Sequence, residues 1–181
     1  MENNLTLPQK YYPTEFSQLY LPDRIKDLIA KNKDRKGYRL LFYGPAGSGK
    51  SSTARLITPK DKFEVLFKSG SNDFSIQTLR ESIYPFIASH AHIVGKQEVV
   101  IIDECERMSP KIQDAWKVIL DQAVVINFIF ITNEIEQLTP FVKSRFDKIE
   151  FNYREDELKQ QKINYINNII NICLHLDYNS S

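Results

Sequence analysis

Cysteine and histidine are scarce in this chain, which holds two of the first and three of the second in 181 residues. Cys105 and Cys173 form no CxxC pair and have no pairing histidine, so no zinc site is visible and reduced thiols are expected rather than a disulfide framework. Net charge is lacking too. With 24 basic residues against 23 acidic, there is no bulk cationic field, and any contact with nucleic acid must come from a local patch or from an assembly of several chains. The opening "MENNLTLPQKYYP" has no basic-then-apolar leader pattern, and the longest strongly apolar run, "VVINFIFIT", is far too short to span a bilayer. The expectation is a soluble, intracellular protein with no membrane partner. No internal repeat is present, and the only compositional bias is an Asn and Ile enrichment near the C-terminus.

What is there reads as one domain with a tail, a size that suits one sizeable core. Apolar residues at Leu21, Ile25, Leu28 and Ile29 form a helical stripe after Tyr20. The short apolar segments "YRLLFY", "FEVLFKSG", "EVVIIDE", "NFIFITN" and "KIEF" then alternate with helical patterns at Lys50 to about Ile57, Ile76 to His90, Lys111 to Gln122 and a short helix ending near Arg145. Apolar strands alternating with helices predict an α/β fold in which helices cover a parallel sheet on both faces. From Glu155 to Leu176, apolar residues at Leu158, Ile163, Ile166, Ile169, Ile170, Cys173 and Leu174 predict one more helix, outside that block.

Two stretches carry chemistry. "GPAGSGKS", Gly44 to Ser51, fits GxxxxGK followed by Ser or Thr, at the end of a predicted strand and the start of a predicted helix. Gly44, Pro45, Ala46, Gly47, Ser48 and Gly49 would wrap backbone N–H groups around phosphates, with Ser52 close behind, and the helix start adds its positive end. Lys50 would reach the β and γ phosphates of ATP, and the Ser51 hydroxyl would ligate Mg2+. Downstream, "VVIIDE" sets Asp103 and Glu104 at the carboxyl end of a strand, the edge where parallel sheets bind ligands. Asp103 would hold the magnesium through water, and Glu104 would polarise an attacking water. Alone, two acids at a strand end are more often a solvated boundary; behind a phosphate loop they read as catalytic. Asn133, ending "NFIFITN", either holds that water or senses the γ phosphate, or simply terminates a strand. Arg145 lies twelve residues beyond Asn133. If that segment is mostly helical, at about 1.5 Å per residue, the guanidinium sits roughly 15 Å or more from its own nucleotide. It is then either an arginine finger acting on a neighbour or a surface salt bridge.

In order, "GPAGSGKSS", "IIDE", "ITN" and "SRF", with "KYYPTEFSQLYLPDRI" upstream, resemble the AAA+ ATPases of the sliding-clamp loader family, of the replication factor C small-subunit type and its phage counterparts. The resemblance runs from about Gln9 to Phe151. It implies a P-loop NTPase core over 1–151 and the start of a helical lid over 152–181, truncated because "LHLDYNSS" ends before the family's second sensor arginine and collar helices. The rest is expected in a longer chain or on another polypeptide. It also implies that Tyr11, Pro13 and Phe16 form the box packed near adenine, with Tyr12 where Arg is usual. "SGSNDFSIQTLRESIYPFI" resembles a family segment at Ser71, Ile76, Arg80, Ile83 and Phe86, with Phe74 replacing a basic residue that faces DNA. Gln113 and Ala115 match, and Lys117 replaces an Arg. "SRF" keeps Ser144 and the Arg145 that in the family reaches the adjacent subunit's ATP.

The implied function is an ATP-hydrolysing subunit of a clamp loader in DNA replication. Its partners would be other loader subunits, the sliding clamp and, through the assembly, primer-template DNA, in the cytoplasm, nucleus or a viral replication compartment. Three rivals share parts of the pattern. An AAA+ or viral-type DNA helicase or helicase loader shares the phosphate loop, acids and strand-end Asn. A small-molecule kinase would need an acceptor pocket that nothing else in the sequence suggests. A binding-only scaffold would keep ATP without hydrolysing it, against which stands Glu104.

Overall fold

In the computed structural model the described residues are 15–16, 19–71, 74–89, 95–160 and, further on, 162–163, 166–167 and 170. One compact unit, Asp23–Asn152, carries every strand among the described residues, while residues 1–22 and 153–181 fall outside it.

Five strands form one parallel sheet: β1 (Arg39–Tyr43), β2 (Phe63–Ser69), β3 (Gln97–Asp103), β4 (Asn127–Thr132) and β5 (Asp147–Glu150), in the order β2-β3-β4-β1-β5. Helices α1 (Asp23–Lys33), α2 (Lys50–Ile57), α4 (Pro110–Gln122) and α5 (Pro140–Arg145) lie close to the predicted spans. All six residues of β4 are buried, as two covered faces require. On one face Phe128 and Phe130 meet the fully buried Trp116 of α4 edge-on, at 6.1 and 5.0 Å between ring centroids. The Trp116 N–H donates to Met108 Sδ at 3.4 Å, which satisfies its one polar atom. On the other face the alternate residues Leu40, Phe42, Ile101 and Ile129 are equally buried.

The predicted helix from Ile76 to His90 is interrupted. This element, α3, consists of Ile76–Thr78, a π-helical turn Leu79–Ile83 and Tyr84–Ala88, and His90 lies outside the described residues. Ser75 opens it with a reciprocal capping box to Thr78. The cause of the wide turn is Pro85, which has no N–H for the carbonyl four residues back and crowds it; the extra residue ahead of it lets the axis continue. Phe74, just before α3, is 4% exposed and stacks on Trp116 at 6.4 Å. At the position where the resemblance implies a basic residue, this chain thus has a core residue.

At the start of the sheet a buried amide clips three strands. Asn127 Oδ1 accepts from the N–H groups of Gly37 and Tyr38, at 3.0 and 3.1 Å, and its Nδ2 donates to Glu98 O at 3.0 Å and Gln97 Oε1 at 3.2 Å. The tail is helical over 155–160 and at the later described positions. Leu158, Ile163, Ile166 and Ile170 are exposed there, while Ile169, Cys173 and Leu174 lie outside the described residues. Among the described residues no helix is long and apolar enough to cross a membrane.

Candidate functional site

The glycine-rich segment leaves β1 at Gly44 and enters α2 at Lys50. Gly49 caps that helix at φ 89° and ψ 7°, a left-handed conformation that a side chain would strain. No side chain caps α2 and its first turn has no acid, so its N–H groups and the positive end of its dipole are open to an anion. Lys50 is buried and its ammonium donates to Gly44 O (2.8 Å), Pro45 O (2.7 Å) and Ser48 Oγ (3.3 Å). Burial lowers its pKa, and the negative charges of Asp103 and then Glu106 act against that.

At the end of β3, Asp103 Oδ2 accepts a 2.7 Å hydrogen bond from Ser51 Oγ, and its Oδ1 accepts from Glu104 N at 3.0 Å. Among the described residues Glu104 is the one non-glycine with positive φ, at 53°, a conformation that costs about 1–3 kcal/mol. Its Oε2 accepts from Ser69 Oγ at the end of β2, at 3.4 Å, and stands 3.4 Å from Arg107 Nη1. The residue that follows β2, Gly70, has no room for a side chain without a shift of its neighbours. Gly70 N donates to Asp103 O at 2.6 Å, and a Cβ on Gly70 would stand 2.6 Å from Glu104 O.

These groups surround a cleft of about 420 Å³ lined by Ala46, Gly47, Ser48, Gly49, Lys50, Ser51 and Ser52, with Asp103, Glu104 and Asn133 opposite. Gly44 and Pro45 do not line it; their carbonyls hold Lys50. Asn133 is fixed by Glu106 Oε1, which accepts from both its backbone N and its Nδ2, each at 3.2 Å. The donor set fits magnesium, since a hydroxyl and a carboxylate 2.7 Å apart are hard oxygen ligands suited to an ion that keeps several waters. Tyr11 and Pro13 lie outside the described residues.

Arg145 is not among the residues that line the cleft. It pairs with Asp121 at 3.5 Å and sits 5.2 Å from the ring centroid of Phe141. Burial lowers the pKa of Arg39, the first residue of β1, and the charge of Arg145 lowers it further. Arg39 also donates to Leu120 O, beside the Asp121 that Arg145 pairs with, so Arg145 lies near the start of β1, on the order of 15 Å along the strand from the phosphate loop. The link from Asn133 is not one continuous helix. The link contains a 3-10 turn, Ile135–Gln137, and only six helical residues, Pro140–Arg145, because Pro140 restarts the helix as its N1 residue.

Several groups at the site escaped the sequence reading. Arg55 and Phe67 line the rim of the cleft, with the guanidinium 4.9 Å above the ring. Arg55 is four residues after Ser51, one helical turn along the same face, which was a usable signal. Ser69 and Gly70 act through the pairing of β2 with β3, which no local pattern announces.

The profile of the family described as "ATPase family associated with various cellular activities (AAA)" matches residues 40–153. A replication factor C small subunit of Acanthamoeba polyphaga mimivirus is 31% identical over 175 residues, covering 87% of this chain and 48% of that protein. Replication factor C subunit 4 of Caenorhabditis elegans is 32% identical over 175 residues, covering 90% and 52%. The chain spans about half the length of these curated relatives. A RuvB variant from Thermotoga maritima shares the fold, with a TM-score of 0.58 at 19% identity, over 83% of this chain and 52% of that one.

Proposed function

We propose, from the premise that this chain belongs to the AAA family of ATPases, that it binds and hydrolyses MgATP as one subunit of a clamp loader in DNA replication. Its similarity to replication factor C small subunits supports that branch of the family. The observation that carries the reading is convergence: residues from 46–52, 103–104 and 133, remote in sequence, line one cleft.

In this reading the N–H groups of the loop and of the first turn of α2 hold the phosphates, and Lys50 binds the outermost ones. Ser51 and Asp103 would hold magnesium, which when bound neutralises charge on the phosphates. Glu104, held by Ser69 and Arg107, takes a proton from the attacking water. Asn133 orients that water. Arg145, turned away from its own cleft, serves the cleft of a neighbouring subunit. The remaining partners are other loader subunits, the sliding clamp and primer-template DNA, in the cytoplasm, nucleus or a viral replication compartment. Residues 1–151 act as the core and 152–181 as the start of a lid. With near-neutral net charge and Phe74 buried, DNA contact is collective, so the chain alone binds primed DNA weakly and less so as salt rises.

The test is a direct titration of MgATP against the wild type and Lys50→Ala, followed by phosphate release from the assembled loader. Binding lost in the variant, with turnover in the wild type, is expected. Undiminished affinity in Lys50→Ala overturns the phosphate-loop assignment, and binding without turnover in the assembly favours the scaffold reading.

A further inference from the structure

Glu106 has no part in the reading above. It sits in the 3-10 turn Cys105–Arg107 that follows Glu104. Its Oε1 takes both the backbone N–H and the Nδ2–H of Asn133, while its Oε2 is buried and has no hydrogen-bond partner among the described residues. A buried carboxylate oxygen left without a donor is costly, and an apolar side chain would avoid that cost.

The chemistry of the contact fixes a direction. An ionised carboxylate only accepts hydrogen bonds, so the amide of Asn133 must turn its nitrogen to Glu106 and its carbonyl oxygen away. The opposite flip would set two acceptors face to face. Asn133 Oδ1 accepts no hydrogen bond from the described residues, and Asn133 lines the cleft together with Asp103 and Glu104.

We propose that Glu106 is a positioning residue for hydrolysis: it locks the polarity of Asn133 so that an acceptor oxygen, not a donor, is presented to the water that Glu104 activates. This rests on the ATPase reading. It also divides the two options for Asn133, since an acceptor holds a water by one of its hydrogens and repels a phosphate oxygen. Two acceptors, Asn133 Oδ1 and Glu104, then each take one hydrogen of the same water and leave its lone pairs free.

The lock is measurable without nucleotide. In 15N-edited NMR of the chain, the Asn133 side-chain amide, identified by its loss in Asn133→Ala, should show one slowly exchanging proton. That protection should vanish in Glu106→Ala and survive in Glu106→Gln, whose Oε1 still accepts. With MgATP, under conditions where the wild type turns over, Glu106→Ala should bind within about threefold of wild type. Its single-turnover rate should fall on the order of ten- to a hundredfold, the size of a misplacement effect. The double variant Glu106→Ala/Asn133→Ala should be no slower than Asn133→Ala. Unchanged amide exchange in Glu106→Ala, or losses that multiply in the double variant, overturns the proposal. Should Glu106→Ala fail to fold, Asn133→Asp sets two carboxylates face to face and must lose rate. Combining it with Glu106→Gln, which supplies a donor, must restore part of that rate, and no recovery also overturns the lock. A wild type that never hydrolyses ATP defeats the ATPase reading, while the amide experiment still reports on the lock.

Discussion

Ser51 on α2 and Asp103 at the end of β3, 52 residues apart in sequence, meet in a 2.7 Å hydrogen bond on the floor of the cleft. The contact joins the phosphate loop to the acidic pair, and both oxygens are of the type magnesium selects. Ser51→Ala and Asp103→Asn should therefore each weaken magnesium-dependent ATP binding by about tenfold or more, with little effect on affinity measured without the metal. Calorimetric titration with and without magnesium checks this, and equal losses in both conditions would reassign the pair to folding.

Glu104 and Arg145 serve different clefts in the proposed assembly. Glu104→Gln should keep ATP binding but trap the nucleotide, and Arg145→Ala should keep binding but lose about a thousandfold in assembly turnover. Mixing the two variants should restore part of the activity, because the Glu104→Gln chain still offers Arg145 to the Arg145→Ala chain. If wild-type turnover per chain is independent of concentration and mixing restores nothing, Arg145 is the surface ion pair with Asp121 and no more.

Gly70 is held against the acidic pair, with room for a hydrogen but not for a methyl group. Gly70→Ala should force β2 and β3 apart at their carboxyl ends, cost about 1–3 kcal/mol and lower the thermal midpoint by roughly 3–10 °C. Turnover should fall with it, because Ser69 no longer meets Glu104. A variant with the wild-type midpoint would show that the two strands yield more easily than their packing implies.

Tyr38 is 1% exposed, and among the described residues its hydroxyl has no hydrogen-bond partner. Burial pushes its pKa well above the ordinary value near 10. A raised folded pKa makes its contribution whole below pH 10 and progressively lost as pH climbs toward the folded value. Tyr38→Phe should hold or raise the unfolding free energy at pH 7, by up to about 1–3 kcal/mol, and make the decline above pH 10 shallower. A marked loss of stability in denaturant titration at pH 7 would mean that the hydroxyl has a partner.

The sheet and the phosphate loop were legible because their signals are local. Five apolar runs alternate with helical stripes, and GxxxxGK needs only its own spacing. The left-handed turn at Glu104 was not legible, since no glycine or asparagine marks it and the cause is the fit of two strand ends. The π turn in α3 was signalled by Pro85, which the helical periodicity of its neighbours hid. Glu106 carries no spacing signal of its own, and only the pairing of β3 with β4 brings it to Asn133. Arg145 shows the limit of spacing arguments, because Pro140 breaks the link whose helical rise the distance assumed.

The strand order also sets a schedule. β1 carries the phosphate loop, yet its two neighbours in the sheet are β4 and β5, made of residues 127–132 and 147–150. On the ribosome, β1 emerges early and stays without a sheet partner while roughly ninety further residues are translated, which at about 5–20 residues per second is several seconds or more. Throughout that interval the glycine-rich loop has no frame to hold it. A nascent chain should therefore acquire ATP affinity in one late step, after Thr132 and Glu150 clear the exit tunnel, and not gradually as its motifs appear.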